Sequence, residues 1–291
     1  MNKIIKVAVL GSTGYVGLEL VKILMKHPKV LINFLGCENN PNKRLKNFDD
    51  SINDKKLPLL NLNKNFNCTN SNIVFLALPH GVSQNFVKKF YNKIRIIDLS
   101  ADFRLDSKNI YKLNYGIIHK CPDLLNKFVY GLPEINKKNI IKNTNIAVPG
   151  CYPTSILLPL IPLLRKKLIN TNNIIIDSKS GYSGAGKKFD IQNIKNSKDL
   201  NFYNYKTNDH RHICEIRQEL EKNSKQKIRF SFNPHILPVY SGLMSTIYCD
   251  LKKGINKKDI FNCLKSYSKN MPFLKIANTN EKVDFFSIQI V

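Results

Sequence analysis

The sequence lacks long hydrophobic runs and paired cysteine motifs, and it is poor in acidic residues. No apolar stretch reaches the length of about eighteen residues that a membrane-spanning helix needs, so the 291-residue chain is predicted to have no membrane partner. The seven cysteines are odd in number and include no Cys-x-x-Cys pair, which argues against a disulfide framework or a structural zinc ribbon. A reducing compartment, either the cytoplasm or an organelle interior, is therefore expected, and the cytoplasm is the predicted location.

Basic residues outnumber acidic ones by 46 to 21, which gives a formal net charge of +25. Basic chains bind nucleic acid through its phosphates, but here the lysines are spread along the whole sequence among asparagines and isoleucines. These three residues have AT-rich codons, so genome composition accounts for the charge. Zinc-finger spacing and aromatic-basic RNA signatures are both missing. We therefore expect no nucleic-acid partner and only a general attraction for anionic substrates.

Runs of apolar residues alternate with helical patterns in the first half of the chain. Such runs are typical of strands that are buried on both faces of a parallel sheet. They lie at Ile4–Leu10, Val30–Gly36, Ile73–Leu78 and Ile94–Leu99. Together with a helical pattern over Gly17–Lys26, they predict a Rossmann-type, doubly wound α/β domain over residues 1–149. The polar, Asn-rich stretch Asn61–Asn72 is predicted to be a surface connection.

The pattern changes after Pro149. Thr154–Lys167 predicts an apolar helix, and three longer stretches predict strands: Asn172–Lys179, Lys227–Phe232 and Leu243–Leu251. Long strands in this half indicate a mixed, largely antiparallel sheet. Residues 150–291 are therefore predicted to form a second, α+β domain.

A glycine loop, Gly11-Ser12-Thr13-Gly14-Tyr15-Val16-Gly17, lies between the first predicted strand and the first helix. Glycines let the backbone turn tightly and approach a pyrophosphate, which then lies at the helix N-terminus. The spacing is G-x-x-G-x-x-G rather than the usual G-x-G-x-x-G, so the motif alone also fits a turn without a ligand. Its place within the first twenty residues favours a dinucleotide cofactor.

The residues after the second predicted strand bear on the choice between NAD and NADP. Glu38 is placed to bind ribose hydroxyls, as an acidic residue does in NAD enzymes. Lys43 and Arg44 follow closely and are able to hold a 2′-phosphate instead, or to be solvated surface residues. The residues by themselves leave both cofactors open.

Cys151 differs from the other cysteines in its setting, Pro149-Gly150-Cys151-Tyr152-Pro153-Thr154, directly before the apolar helix. At a helix N-terminus, the dipole and nearby N–H groups stabilise a thiolate, which is the nucleophilic form. The competing interpretation is a small buried hydrophobic residue, the common fate of a free cysteine.

The segment His210-Arg211-His212-Ile213-Cys214-Glu215-Ile216 is the densest cluster of reactive side chains. A thiolate nucleophile needs a base or a cation nearby, and either His210 or His212 is able to meet Cys151, with Glu215 orienting the imidazole. On a helix that starts here, His212 and Glu215 are neighbours three residues apart. A metal site built on His-x-His-x-Cys is the alternative, but no fourth ligand has zinc spacing.

The small-residue loop Ser180–Lys188, which begins with Ser180 and Gly181, ends in two lysines. Its backbone N–H groups are suited to an anionic substrate, although a flexible surface loop would have the same composition.

Taken together, these segments resemble the N-acetyl-gamma-glutamyl-phosphate reductase family of arginine biosynthesis, over nearly the whole chain. The resemblance rests on order and spacing: Gly11–Gly17, Phe75–Gly81, Asp98–Leu105, Tyr130–Glu134, Pro149–Thr154, Ser180–Lys187, His210–Ile216 and Phe232–His235. It implies a Rossmann domain followed by a substrate domain like that of glyceraldehyde-3-phosphate dehydrogenase, in a dimer or tetramer.

The resemblance also implies a chemistry. Cys151 attacks an acyl phosphate and expels phosphate, and NADPH then reduces the thioester to a semialdehyde. One histidine of the His210/His212 pair acts as acid and base, and Arg104 resembles the arginine that holds phosphate in aspartate-semialdehyde dehydrogenases.

Two departures from the family pattern qualify these expectations. Tyr240-Ser241-Gly242 stands where the family usually carries an arginine, so one anion contact is expected to be missing. The family usually continues past Val291 with a strand and a helix, so weak NADPH binding and low activity are expected of this chain alone. The alternatives are an aminoadipyl-phosphate reductase of lysine biosynthesis and a truncated, non-catalytic homologue.

Overall fold

The computed structural model describes residues 4–186, 200–278 and 280–284. It divides the chain into two compact units, Met1–Pro149 and Gly150–Val291. Lys187 and Lys188 of the predicted substrate loop lie outside the described residues. Within those residues, we find no helix that combines the length and the apolar character needed to span a bilayer. All seven cysteines are free thiols.

The first unit is built on a seven-stranded sheet in the order β3-β2-β1-β4-β5-β7-β6, and every strand pair is parallel. The strands are β1 Ile5–Leu10, β2 Val30–Cys37, β3 Leu60–Leu62, β4 Ile73–Leu76, β5 Arg95–Asp98, β6 Val129–Tyr130 and β7 Asn145–Ala147. The strand order reverses between β1 and β4. In open sheets of this kind, ligands bind beyond the carboxyl ends of the strands at such a reversal.

The described residues of this unit include four α-helices: α1 Tyr15–Met25, α2 Ser83–Phe90, α3 Lys108–Tyr115 and α4 Pro133–Lys142. Strand β1 is buried on both faces, as its apolar run predicts. Val7 and Val9 enter one hydrophobic cluster, and Ala8 and Leu10 enter another. The predicted doubly wound α/β fold is confirmed for this half of the chain.

The predicted surface connection at Asn61–Asn72 is wrong in part. Its first residues belong to β3, which adds to the sheet edge beside β2. Asn63 is buried, and its Oδ1 accepts a hydrogen bond from the N–H of Gly11 at 3.0 Å. The polar composition of this stretch therefore reflects a buried contact with the glycine loop as well as exposed residues.

The second unit contains a four-stranded mixed sheet in the order β11-β8-β10-β9. Its elements are α5 Cys151–Arg165, β8 Ile174–Gly181, β9 Tyr203–Asn204, α6 His212–Ser224, β10 Phe230–Leu237, β11 Leu243–Tyr248 and α7 Lys257–Ser268. The two outer pairings are antiparallel and the central pairing of β8 with β10 is parallel. This arrangement confirms the predicted α+β fold of the second half.

Helix α5 packs against one face of this sheet. The hydroxyl group of Ser155 on α5 lies 2.7 Å from that of Ser245 on β11, which lies 2.7 Å from that of Ser178 on β8. The same face of β8 buries Ile174 and Ile176. Helix and sheet together fix the position at which α5 begins, and therefore the position of Cys151.

Candidate active site

Cys151 is the first residue of α5 and is exposed, whereas the other six cysteines are buried or half-buried. Gly150 precedes it in an extended conformation as the N-cap. Burial is the main cause of a raised pKa at five of the other thiols, namely Cys37, Cys121, Cys214, Cys249 and Cys263. The helix dipole and an open surface make Cys151 the best placed nucleophile among these cysteines.

A cavity of about 200 Å³ opens beside Cys151. Among the residues predicted from the sequence, it is lined by Cys151, Ser180, Gly181, His210 and His212. These residues come from the start of α5, the end of β8, the loop before α6 and the start of α6, so the fold brings together segments that are far apart in the chain.

Glu215 stabilises the backbone next to this cavity. The helix alternative for this segment is correct, because α6 begins at His212 and places Glu215 in its first turn. The Glu215 side chain is fully buried, and its Oε1 accepts a hydrogen bond from the N–H of Gly150 at 3.0 Å. The carboxylate therefore ties the residue before Cys151 to the helix that carries His212.

His210 is held in its neutral form. Its Nδ1 accepts a hydrogen bond from the N–H of His212 at 3.1 Å, and its Nε2 lies 3.5 Å from the hydroxyl oxygen of Tyr205. Burial, with smaller contributions from Arg211 and Lys206, lowers the pKa of His210 to about 4. Because Nδ1 is the acceptor, the single ring proton of the neutral imidazole is on Nε2.

Aromatic contacts fix both imidazoles from one side. The Tyr152 ring meets the ring of His210 at a centroid distance of 5.4 Å and that of His212 at 6.0 Å, both edge to face. Phe232 of β10 contacts Tyr152 at 5.2 Å and His210 at 5.6 Å. The two imidazoles therefore pack against aromatic rings, and this packing restricts their rotamers.

The glycine loop of the first unit shows a different role for each of its glycines. Gly11 has φ +76°, and a Cβ there would lie 2.2 Å from the carbonyl oxygen of Ala77. A Cβ on Gly17 would lie 2.3 Å from the carbonyl oxygen of Gly11, so this glycine is needed for close packing of α1. At Gly14, the nearest atom to such a Cβ would be 3.5 Å away, at ordinary contact distance.

Gly14 is therefore not required by packing within the loop. It is the N-cap of α1, so its bare backbone lies at the positive end of the helix dipole. Of the other loop residues, Ser12 is buried and its Oγ donates to the carbonyl oxygen of Gly36 at 2.9 Å, while Val16 is exposed. Thr13 and Tyr15 are half-buried. These features fit the pyrophosphate of a dinucleotide, which approaches glycine backbone at a helix N-terminus.

Comparison with known families assigns a domain to each half of the chain. A model described as the semialdehyde dehydrogenase NAD binding domain matches residues 6–143, and one described as the semialdehyde dehydrogenase dimerisation domain matches residues 151–289. The chain belongs to the semialdehyde dehydrogenase family. The predicted nicotinamide-dependent oxidoreductase is thereby confirmed at the level of the family.

Relatives within this family share about two fifths of their residues with the chain. An N-acetyl-gamma-glutamyl-phosphate reductase of Ehrlichia canis is 42% identical over 278 residues, covering 95% of this chain and 80% of the relative. The protein of that name from Clostridium botulinum is 38% identical over 288 residues, covering 98% and 83%. The resemblance inferred from the sequence motifs is confirmed.

Solved semialdehyde dehydrogenases share the fold at much lower identity. A Pseudomonas aeruginosa structure described as a probable aspartate-semialdehyde dehydrogenase is 14% identical, with a TM-score of 0.68 over 97% of this chain and 84% of that one. The Candida albicans aspartate semialdehyde dehydrogenase, solved with NADP, is 17% identical with a TM-score of 0.64, covering 91% and 77%.

Lys43 and Arg44 follow β2 in this semialdehyde dehydrogenase and are exposed. The carbonyl oxygen of Lys43 accepts from the N–H of Leu60 in β3 at 2.9 Å, which fixes its backbone. An Arg44 guanidinium nitrogen lies 3.9 Å from the carboxylate of the buried Asp54, a long ion pair. Glu38, the alternative ribose ligand, is also exposed.

Arg104 lies in the first unit, where its guanidinium is largely buried and bonded to backbone. Its Nε donates to the carbonyl oxygen of Val148 at 2.7 Å, and its Nη2 donates to that of Leu99 at 3.0 Å. Arg104 therefore joins the ends of β5 and β7, a structural role that the sequence did not indicate.

The metal alternative finds no support in the geometry. Cys214 of the His-x-His-x-Cys segment donates from its Sγ to the carbonyl oxygen of Arg211 at 3.0 Å. In the described parts of the chain, no three histidine, cysteine, aspartate or glutamate side chains are grouped as metal ligands.

Sequence reasoning missed four residues that line the cavity, namely Tyr205, Lys206, Arg211 and Ile236. Arg211 stands between the two predicted histidines, so its position was a usable signal. Tyr205 and Lys206 lie in a polar stretch without a motif, and only the fold places them beside Cys151.

Proposed function

We propose that the chain catalyses the NADPH-dependent reduction of N-acetyl-gamma-glutamyl phosphate to N-acetylglutamate semialdehyde, with release of phosphate, in the cytoplasm as a step of arginine biosynthesis. The observation that carries the proposal is the exposed Cys151 at the start of α5, in one cavity with two histidines. The names of the relatives at 38–43% identity support this substrate.

Cys151 acts as the nucleophile in this scheme. Its thiolate attacks the acyl carbon, the carbon–oxygen bond to phosphate breaks, and phosphate leaves with the bonding electron pair. The nicotinamide cofactor, when bound, supplies a hydride to the carbonyl carbon of the resulting thioester. Collapse of the thiohemiacetal then breaks the carbon–sulfur bond, releases the aldehyde and returns the thiolate.

His212 is the proposed acid and base of the pair. His210 is neutral with its proton on Nε2 and its Nδ1 occupied by a backbone N–H, so it has no lone pair with which to accept the thiol proton. His212 lines the same cavity as Cys151. It takes the thiol proton from Cys151 before the resulting thiolate attacks, protonates the thiohemiacetal oxygen after hydride addition, and recovers the proton as the aldehyde forms.

The remaining predicted residues have supporting roles. Glu215 positions Gly150 and, three residues after His212 on α6, orients its imidazole. Ser180 and Gly181 at the end of β8 line the cavity and bind the acyl group. By the resemblance, Arg104 contributes to phosphate binding, and its two bonds to backbone mean that its replacement also costs stability.

NADP is the proposed cofactor. The loop Gly11–Gly17 holds the pyrophosphate. Lys43 and Arg44 bind the 2′-phosphate, because both are exposed beyond β2 and the ion pair of Arg44 with Asp54 is long. A charge-assisted hydrogen bond to phosphate contributes about 1.5–3 kcal/mol.

A homodimer through the second unit is the proposed assembly, in keeping with the name of the matching dimerisation model. The β8 face opposite α5 exposes Ile175 by 44%, and the paired strand β11 exposes Tyr248 by 58%. Such side chains on a sheet face suit burial against a second copy. Sedimentation of Ile175→Glu should then show a monomer.

The test of the function is reduction of N-acetyl-gamma-glutamyl phosphate by the purified chain, with aminoadipyl phosphate on its carrier as the competing substrate. We expect turnover of the first, with NADPH preferred over NADH by about tenfold or more, the scale of one charge-assisted contact. Cys151→Ala should abolish turnover, whereas the matched control Cys263→Ala should keep it. Turnover by Cys151→Ala, or preference for the carrier-bound substrate, would refute the proposal.

A further inference from the structure

The cavity beside Cys151 carries two cations that the proposed chemistry does not use. Lys206 and Arg211 both line it, and both are exposed. In the part of the chain that the structure describes, neither forms an ion pair with a carboxylate. Glu215, the nearby acidic group, is buried and accepts from the N–H of Gly150. Among the described residues, the cavity therefore has positive charge that no carboxylate neutralises through an ion pair.

The backbone around Lys206 is built to hold one conformation. Lys206 has φ +49° and Asn208 has φ +54°, left-handed values that are uncommon for residues other than glycine. The segment is bonded to β10 on both sides, since Tyr205 N–H donates to the carbonyl oxygen of Pro234 at 3.0 Å and Asn208 N–H to that of Phe232 at 2.9 Å. The side chain of Asn208 accepts from the N–H of Phe232 at 2.8 Å.

Strained conformations of this kind persist where surrounding contacts over-determine them, and they concentrate at ligand-binding positions. The hydrogen bonds to β10 therefore fix the backbone from which Lys206 enters the cavity. Arg211 is fixed independently, because it is the residue immediately before α6. Both cations act electrostatically on the site, since each lowers the pKa of His210 in addition to the larger effect of burial.

We infer that Lys206 and Arg211 bind a carboxylate on the acyl chain of the substrate, distal to the carbon that Cys151 attacks. This inference rests on the proposed function and specifies how its substrate is chosen. Phosphate leaves after the first step, so tight binding of phosphate by two cations would slow its release. The acyl chain stays on Cys151 through both steps, and a charged group on it is the part that must be held throughout.

The inference makes Lys206 and Arg211 specificity determinants. An aldehyde with the distal carboxylate should be preferred over the same chain without it, and the preference should depend on these two residues. A charge-assisted contact corresponds to about tenfold or more in kcat/KM. The cations should have little effect on an aldehyde without the carboxylate.

The experiment runs the reaction in the oxidative direction with NADP and phosphate on two aldehydes, N-acetylglutamate semialdehyde and the uncharged 4-acetamidobutanal. Lys206→Asn introduces a neutral residue that tolerates left-handed φ, and Arg211→Gln introduces a neutral polar side chain at the helix start. We expect each variant to lose about tenfold or more in kcat/KM on the charged aldehyde only. Lys253→Gln and Arg229→Gln, exposed cations that do not line the cavity, are the matched controls.

A second measurement is independent of turnover. Alkylation of Cys151 is followed by mass spectrometry with N-acetyl-2-aminobutyrate, which carries the carboxylate alone, or with inorganic phosphate. We expect protection by the carboxylate in the native protein and its loss in Lys206→Asn and Arg211→Gln. If neither aldehyde is oxidised but this protection is observed, the proposed function fails and the carboxylate site stands.

Three results would overturn the inference. The first is an equal loss of kcat/KM on both aldehydes, which would show a general effect on the site. The second is a rise in the KM for phosphate with an unchanged preference between aldehydes, which would make the two cations a phosphate site. The third is Cys151 protection by the carboxylate that persists in both variants.

Discussion

The two units present their chemistry in different ways. In the first, seven consecutive residues, Gly11–Gly17, form the candidate pyrophosphate site, and what they offer is mainly backbone. In the second, the cavity beside Cys151 takes side chains from the start of α5, the end of β8, the loop before α6 and the start of α6. A site made of neighbouring residues can be recognised from sequence, whereas one made of distant side chains requires the fold.

The units also differ in the groups that they bury. The first buries the carboxylates of Asp98 and Asp102, of which Asp98 accepts from the N–H and the hydroxyl of Ser100, and Asp102 from the N–H of Gly81. The second buries the imidazoles of His210 and His212. Burial disfavours the charged forms of Asp98 and of His210, but that form is the deprotonated carboxylate in the first unit and the protonated imidazolium in the second.

The largest expected effect tests which histidine of the cavity in the second unit acts as the acid and base. We expect His212→Asn to lower kcat by about a hundredfold or more, the usual scale of acid–base catalysis, and His210→Asn to have a smaller effect. Asparagine at 210 keeps an acceptor for the N–H of His212, so this variant is the matched control. The measurement is kcat with saturating substrate and cofactor. Equal losses in both variants would contradict the assignment of His212.

The second prediction concerns pH and has opposite signs in the two units. The pKa of His210 falls from 6.5 to about 4 on folding because of burial, so the unfolded chain binds more protons between these values. Its contribution to the free energy of unfolding is therefore complete above pH 6.5 and is lost as the pH falls toward 4. The amount is about 3 kcal/mol, from 1.36 kcal/mol for each step of one in pKa.

Asp98 behaves in the opposite way. Burial first, then the charge of Asp102, raises its pKa from 3.8 to about 6. The native state therefore holds the proton more tightly, and this contribution is complete below pH 3.8 and lost as the pH rises through 6. Its amount is also about 3 kcal/mol, so the two contributions oppose each other over the same range.

Urea unfolding at pH 4 and pH 6.5 separates the two contributions. Compared with the native protein, His210→Asn should lose less stability on going to pH 4, and Asp98→Asn should lose more. The second variant retains an oxygen to accept from Ser100. If the two substitutions changed the difference between pH 4 and pH 6.5 in the same direction, the contrast between the units would be wrong.

Much of the fold could be predicted because long elements carry their own patterns. The buried strands β1 and β2 and the apolar helix α5 follow from runs of apolar residues, and β1 indeed has hydrophobic clusters on both faces. The two-residue strands β6 and β9 are too short to show a period. The strand β3 was hidden in a polar stretch because it is a three-residue edge strand.

The residues of the candidate site also differ in whether the local sequence predicts them. Cys151 was recognisable because its environment, a Pro-Gly turn before an apolar helix, is local in sequence. The roles of the two histidines were not, because they depend on which ring nitrogen meets the N–H of His212. Lys206 gives no signal in the sequence, since its left-handed backbone is imposed by bonds to β10.

The smallest expected effect tests the backbone site of the first unit. A Cβ at Gly14 would meet its nearest neighbour at 3.5 Å, whereas one at Gly17 would lie 2.3 Å from the carbonyl oxygen of Gly11. We therefore expect Gly14→Ala to leave the melting temperature nearly unchanged and to weaken NADPH binding by about tenfold, through steric conflict at the helix N-terminus that a pyrophosphate approaches. Gly17→Ala should instead destabilise the unit by about 1–3 kcal/mol, the usual cost of overpacking.

The measurements are thermal unfolding without cofactor and the Kd of NADPH by fluorescence titration, on the same two variants. Gly14→Ala is the informative variant for the titration, because it keeps the fold and changes only the surface offered to the cofactor. A Kd equal to that of the native protein would show that the pyrophosphate does not approach Gly14. The loop would then be a tight strand–helix turn in which Gly11 and Gly17 serve packing alone, and the cofactor site of the first unit would have to be sought elsewhere along the carboxyl ends of β1 and β4.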